Sequence, residues 1–396
     1  MPLKILVLCR ELPLPLTSGE KIRCYHILKE LAQRHEVSLV SLVLKEPELG
    51  YVEELSKLCQ HVYTFRFNLS KKRSALSSVF SVLPWDVVAF NDRLVKSKIS
   101  ELLKTQKYDV IWVNFLAMSG YIDSSLLGDT KLILDQHNVD NLVWAGYARN
   151  SHNLAMKIFA LLNLQKVKLY QNKIFKYFDT VVSVSEADAK YMREHNNSTI
   201  DIKCIPNGVD TDYFLPALVE NKGNIIVLCA SMDVDMNIDA ALNFSRIFPL
   251  IKKKVIDSEF WIVGRNPPKQ ILNLQKQGYI KVTGSVADVR PYYEKAKVVI
   301  APYRFGGGTK LKILEALAMN LPIVSTKIGC QGINTTGIGE IKIHDNMVDF
   351  AGAVIEVLET NEAKTTERNN GARKIVEERY GWSTILQALS TGLLRK

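Results

Sequence analysis

A chain of 396 residues is too long for one ordinary hydrophobic core and fits two α/β domains of about 150 to 220 residues each. With 47% hydrophobic and 23% charged residues it reads as a globular protein, and no apolar run reaches the ~18 residues that a membrane span requires. The net charge of +10 gathers in the first half, with eight basic against four acidic residues from Tyr51 to Ser100 and five lysines against no acid from His152 to Phe178. No aromatic-and-basic motif for nucleic acid accompanies that charge. It faces either an anionic membrane surface, because apolar residues sit beside it, or only solvent.

The chain opens on LKILVLC, a first buried strand rather than a signal peptide. The loop RELPLPLTSGEK follows, then a helix with Ile22, Leu28 and Leu31 at helical spacing. A dinucleotide-binding protein would show G-x-G-x-x-G at this point, and only Gly19 is present, which disfavours NAD or FAD. Strands at 37–43 and 62–67 continue the alternation. KKRSALSSVFSVLPWDVVAF is then basic first and apolar after, and its apolar residues either pack beneath the domain or dip into lipid headgroups. After the strand DVIWVN comes KLILD, which places His137 just past a strand's carboxyl end, where open α/β sheets bind ligands. A lone histidine there is either a satisfied structural residue or a ligand-facing one, and an unperturbed pKa of about 6.5 leaves its charge open. One helical stretch from Asn141 to Tyr177 carries the acid-free lysines. TVVSVSEADAKYM reads as a strand and a helix capped by Ser185, and Asn207-Gly208 supplies a turn before a polar linker. The six cysteines are scattered without a C-x-x-C pair and read as buried small hydrophobes in a reducing cytosol.

The second half restarts with the strand NIIVLCAS, and EFWIVGRNPP ends another strand on Gly264-Arg265. IKVTGSVADV brings Gly284 to the end of a third. The stretch VIAPYRFGGGTKLKILEALAMNLPIVST is the most informative in the chain. A buried strand breaks at Arg304 into Gly306, Gly307 and Gly308, helical spacing begins at Thr309, and LPIVS forms the next strand. Such a loop leaves backbone N–H groups bare at the positive end of a helix, where phosphate binds, and Arg304, Lys310 and Lys312 add charge around it. Glu315 sits one to two turns into the helix, where it either accepts from a sugar's vicinal hydroxyls or pairs with Lys312 on the surface. The glycines are equally consistent with a tight turn, and the order is not that of a P-loop. After Thr326 the chain reads as helical to its end.

RFGGGTKLKILEALAMNLPIVST resembles the nucleotide-sugar signature of family 4 glycosyltransferases, and SGEKIRCYHILKELAQRHEVSLVSL resembles a branch encoded with exopolysaccharide systems. The resemblance runs from Leu3 to about Leu389. It implies a GT-B fold: two Rossmann-like domains with parallel sheets facing across a cleft, an acceptor domain over 1–212, a nucleotide-sugar domain over 213–380, and a helix at 381–396 crossing back. The family's ribose-holding Glu maps onto Glu315. Its partner Glu maps onto Gly307, and the usual diphosphate-gripping Arg and Lys fall on Ser231 and Met236. Phosphate binding then rests on Arg304, Lys310, Lys312 and the glycine amides, with Thr309, Gly264, Arg265 and Gly284 around the donor. Gly19 and Arg23 are expected near donor phosphate or acceptor, and His137 is expected to face the donor sugar. His137, Arg304 and Lys310 are the expected catalytic residues.

The implied activity is hexosyl transfer from a nucleotide-diphosphate sugar to a glycan or lipid-linked acceptor, with retention of configuration and without metal or other cofactor. The implied setting is cytoplasmic, at the inner face of the membrane, in cell-surface polysaccharide synthesis. Two rivals stand beside it. One is a nucleotide-sugar-binding protein that has lost transfer, suggested by Gly307, Ser231 and Met236; the other is a nucleotide-sugar epimerase of the same architecture.

Overall fold

The apolar runs of the first half pair side by side as one parallel sheet. In the computed structural model, which describes residues 1–151, 153–196, 200–216, 223–360, 362–390 and 393–394, its strands are β1 Lys4–Cys9, β2 Glu36–Val43, β3 His61–Arg66, β4 Val110–Asn114, β5 Lys131–Gln136, β6 Thr180–Ser183 and β7 Asp201–Cys204. Their order is β3-β2-β1-β4-β5-β6-β7. The chain steps outward from β1 to β3, then restarts on the other side of β1, so strand order reverses between β1 and β4. β1, β2 and β4 are buried almost throughout, which is why they read as continuous apolar runs rather than as alternating ones.

A second parallel sheet contains β8 Ile225–Cys229, β9 Glu259–Val263, β10 Ile280–Val282, β11 Val298–Ala301, β12 Ile323–Ser325 and β13 Ile341–Ile343, in the order β10-β9-β8-β11-β12-β13. Here the order reverses between β8 and β11. The strand β13 corrects the expectation of unbroken helix after Thr326. It pairs in parallel with β12 and is only partly buried at the sheet's edge, and three residues are too few to leave a period in the sequence.

Two compact units result: Met1–Pro206 with Leu386–Lys396, and Asn207–Ile385. The first division thus falls six residues before the 212 boundary read from the sequence, and the chain returns to the first unit at Leu386, partway along the helix Trp382–Ser390. The stretch read as one helix from Asn141 to Tyr177 is two, Asp140–Asn150 and Leu154–Ile174. The second has its own cap, the Asn153 side chain accepting from the Met156 N–H at 3.2 Å. Ser185 caps its helix by accepting from the Asp188 N–H at 3.0 Å. All six cysteines are free, five of them buried and Cys204 partly so.

Candidate functional site

Open α/β sheets bind ligands at the carboxyl ends of their strands, where strand order reverses. In the first unit three residues leave the sheet around that point: Arg10 after β1, Phe115 after β4 and His137 after β5. They stack. The Arg10 guanidinium lies 3.7 Å from the centre of the Phe115 ring, and the His137 ring centre lies 4.0 Å from it on the same residue. Glu20 holds Arg10 by two hydrogen bonds of 2.9 and 2.7 Å.

His137 is 7% exposed, with Nε2 at 3.3 Å from Asn114 Oδ1 and 3.5 Å from Asp135 Oδ2. Asp135 is wholly buried and receives a fork from Arg23, Nε to Oδ2 at 2.9 Å and Nη2 to Oδ1 at 2.8 Å. Burial opposes the charge on Asp135, but Arg23 and then His137 outweigh it and hold this carboxyl well below the usual range. Burial likewise opposes a charged His137, and the Asp135 carboxylate outweighs it, so the imidazole is pushed up to about 9. A shift in this direction favours the imidazolium, in which both ring nitrogens donate.

This arrangement corrects the expectation for Arg23. It is 0% exposed, and its Nη1 donates to the carbonyls of Ile205 at 2.9 Å and Pro206 at 3.1 Å. Its charge serves Asp135, 112 positions away, rather than a ligand phosphate. Gly19 is exposed and opens the helix Gly19–Arg34, which Ser18 caps. A cavity of about 140 Å³ between the helices of this unit, bordered by Asn141, Lys168, Gln171 and His195, contains none of the expected site residues.

In the second unit the chain beyond β8 is laced to the chain beyond β9, the Ala230 N–H to the Val263 carbonyl at 2.9 Å and the Met232 N–H to the Arg265 carbonyl at 2.8 Å. Gly264 permits this approach, because a Cβ there would stand 1.8 Å from the Ala230 carbonyl oxygen. Asp233, beside it, is met by Arg265 at 3.7 Å and Asn266 at 3.0 Å. Gly284 lies just past β10, with open space where a side chain would be.

The glycine loop follows β11, at the point where strand order reverses. Gly306 has φ 129, and a Cβ on it would meet Met236 Sδ at 2.5 Å, so this methionine lies over the loop. The helix runs Leu311–Ala318 with Lys310 as its cap, two residues later than the spacing predicts. Lys310 Nζ turns back to donate to the carbonyls of Gly307 at 2.6 Å and Gly308 at 3.3 Å. It therefore ties the loop together while placing its charge at the helix start. Thr309 Oγ1 is buried there without a hydrogen-bond partner among the described residues.

Of the two roles expected of Glu315, the structure shows the pairing with Lys312, whose Nζ donates at 3.0 and 3.1 Å, yet Glu315 is 3% exposed and not on the surface. The Tyr293 hydroxyl, unforeseen in the sequence, donates to it at 3.4 Å. Burial opposes the Lys312 charge, and Glu315 outweighs it, raising that ammonium above the ordinary lysine range. Arg304 departs from expectation. Its Nε donates to Asp239 Oδ2 at 2.9 Å and its Nη2 to Oδ1, so the guanidinium is committed to the helix Asp235–Lys254 and not to the glycine loop.

Residues 18–213 match the family model "Glycosyltransferase Family 4", and residues 223–360 match "Glycosyl transferases group 1". The chain is 20% identical over 397 residues, 98% of each sequence, to the "Uncharacterized 44.6 kDa protein in cps region" of Klebsiella pneumoniae. A glycosyltransferase from Rickettsia africae ESF-5 shares its fold at 19% identity and TM-score 0.66, over 98% of this chain and 97% of that one. Anabaena Alr3699/HepE in complex with UDP-glucose does so at 14% identity and TM-score 0.68, over 99% of both chains. With a glycosyltransferase model matched on each half, and two Rossmann-like units of parallel sheet to carry them, the chain belongs to the family 4 glycosyltransferases of the GT-B fold class.

Proposed function

We propose that the second unit binds a nucleotide-diphosphate sugar, and that its hexose is transferred with retention to a glycan or lipid-linked acceptor in the synthesis of a cell-surface polysaccharide. The observation that carries this reading is Glu315, a carboxylate buried in a helix that is apolar except for it and Lys312 and that follows a glycine loop. Burying it is costly unless it is paired, and Lys312 and Tyr293 leave acceptor capacity for a ribose diol. The loop's amides with Lys310 and Lys312 supply the positive potential for a diphosphate. Similarity to a fold relative that holds UDP-glucose supports a UDP donor, and similarity to a protein of a cps region supports the polysaccharide setting.

In this reading, charge growing on the leaving bridging oxygen is met by groups already in place, which stabilises the transition state more than the ground state. Lys310 and Lys312 take the role first expected of Arg304, and no metal is needed. The leaving phosphate takes the acceptor proton. His137 donates to a sugar hydroxyl as an imidazolium.

Calorimetry with UDP tests the donor half. Glu315→Ala should weaken binding by roughly 1–3 kcal/mol, the scale of a hydrogen bond to a charged group. Unchanged affinity would return Glu315 to a structural partner of Lys312. The anomeric configuration of the product, read by NMR, tests the chemistry, and an inverted product overturns retention. A second reading, nucleotide-sugar binding without transfer, is favoured by Arg304 being held by Asp239. Turnover of a donor and acceptor mixture excludes it.

The proposal also places the first unit on an anionic membrane, at the inner face of the cytoplasmic membrane. Phe80 and Val82 are 86% and 88% exposed, just past the helix Lys71–Val79, and Leu154, Ile158 and Leu169 are exposed along the helix Leu154–Ile174. Lys166 Nζ donates to the Ser78 carbonyl and ties the two segments together, and the second of them carries the acid-free lysines beside bare apolar side chains.

A further inference from the structure

His137 has two ring nitrogens, and a residue that no motif singled out decides which of them faces inward. Asn114 ends β4, is the ladder partner of Asp135 in β5, and is 1% exposed. The pairing of β1 with β4 stops one residue earlier, at Leu8 and Val113, where strand order reverses. Asn114 continues that seam with its side chain, Nδ2 donating to the Leu8 carbonyl at 3.1 Å and to Cys9 Sγ at 3.3 Å. A backbone carbonyl only accepts, so the amide cannot be turned over, and Oδ1 is the end that faces His137. This Oδ1 lies 3.3 Å from His137 Nε2 and accepts from the Cys24 thiol at 3.3 Å.

An amide oxygen has no proton to give, so the Nε2 beside it carries one, in the neutral ring as in the charged one. Asp135 Oδ2, farther away at 3.5 Å, favours the same proton by its charge but already accepts from Arg23 Nε at 2.9 Å. The face of the ring is held by the next residue along β4. Phe115 has φ 69, uncommon for an aromatic side chain, yet its N–H still donates to the Asp135 carbonyl at 2.9 Å and its ring centre lies 4.0 Å from that of His137. Such backbone strain persists only where the surroundings enforce it, and it gathers at functional sites. The charged and titratable groups around the imidazole are Asp135 of β5, Arg23 and Cys24 of the helix Gly19–Arg34, Cys9 of β1, and Arg10, which shares the Phe115 ring and is held by Glu20.

We infer that Asn114 is a positioning residue: its amide, locked by the Leu8 carbonyl, holds the His137 ring with Nε2–H turned into the unit and leaves Nδ1 as the nitrogen that meets a ligand. The hydrogen bond offered outward is then that of Nδ1, a donor in the imidazolium and an acceptor in the neutral ring. Asn114 acts through His137 and touches no ligand itself. That the ligand is the transferred sugar rests on the glycosyl-transfer reading; the orientation of the ring does not.

NMR on the full chain with ring-¹⁵N histidine tests the orientation, and His137→Gln assigns the signal among the seven histidines. At neutral pH the Nε2 proton should exchange with water more slowly than the Nδ1 proton, by a factor of about ten or more. As the pH is raised past 9, Nδ1 should lose its proton while Nε2 keeps its own. Asn114→Leu, which removes both ends of the amide, should abolish the protection at Nε2, and Asn114→Asp, which keeps an acceptor there, should retain it. Asn114→Ser, too short to span to the ring, serves where the leucine variant does not fold. A neutral ring protonated at Nδ1, or Nε2 protection that persists in a folded leucine or serine variant, overturns the role of Asn114. In the transfer assay Asn114→Leu should lower kcat by about tenfold or more at unchanged UDP affinity, with Asn114→Asp recovering part of the loss, and an unchanged kcat counts equally against positioning. A parent that turns nothing over while its Nε2 proton is protected counts against the transfer reading and leaves the ring orientation standing.

Discussion

Arg23 and Asp135 place two full charges inside the first unit, and the energetics of that pair extend to His137. Arg23→Ala leaves a carboxylate buried without its main partner, which should lower the unfolding free energy by about 3–5 kcal/mol. Arg23→Lys should recover little of it, because one ammonium cannot reach a carboxylate and two backbone carbonyls at once. Urea midpoints decide this, and a lysine variant as stable as the parent would contradict it. The same cluster sets a pH dependence. The pKa of His137 is raised to about 9, so the folded state binds its proton more tightly than the unfolded chain does. That stabilisation is complete below about pH 6.5, is lost as pH rises through 9, and is on the order of 3 kcal/mol at most. Asp140, also raised, contributes with the same sign in a lower window, complete below about pH 4 and lost as pH rises through 7. Asp135, depressed, has the opposite sign and loses its contribution only in strong acid. Urea midpoints measured from pH 4 to 9 should show His137→Gln flattening the upper part of the decline and Asp140→Asn the lower part.

At the scale of elements, the strand-end edge of the second unit depends on how closely two loops approach. The Ala230 carbonyl occupies the space a Gly264 side chain would need, and both groups are backbone, so neither can rotate away. Gly264→Ala should separate the ends of β8 and β9, lower the thermal midpoint by several degrees and abolish UDP binding. Gly306 is a softer case. The atom a side chain would meet is the Met236 sulfur, which can swing aside, but φ 129 still disfavours any side chain. A Gly264→Ala variant that keeps both its midpoint and its UDP affinity would show that the loops do not need this contact.

For the whole molecule, the uneven placement of the +10 charge becomes a question of where the protein resides. No helix among the described residues is long and apolar enough to cross a membrane. A surface contact through Phe80, Val82 and the lysine-bearing helix Leu154–Ile174 is the arrangement their exposure favours. Sedimentation with vesicles containing phosphatidylglycerol should carry the protein down, less so as salt rises, since each lysine near an anionic surface contributes about 1 kcal/mol and is screened. Phe80→Ser with Val82→Ser should weaken binding without altering UDP affinity. Equal binding to neutral vesicles, or none to either kind, rules the contact out.

Local patterns carried most of the architecture into the sequence. The strands showed because burial on both faces forces unbroken apolar runs, and the glycine loop, the Ser185 cap and the Lys312–Glu315 pair showed because their parts lie within a few residues of one another. Strand β13, three residues long and partly exposed, left no such trace. Tertiary structure alone decided which charges are available. Arg23 and Arg304 look alike in the sequence as free cations near a site, but each is bound to an acid 112 or 65 positions away. Glu315 is likewise buried in its helix, which its position in the sequence does not reveal. Pairing across such separations depends on the path of the backbone through space, which no local spacing encodes.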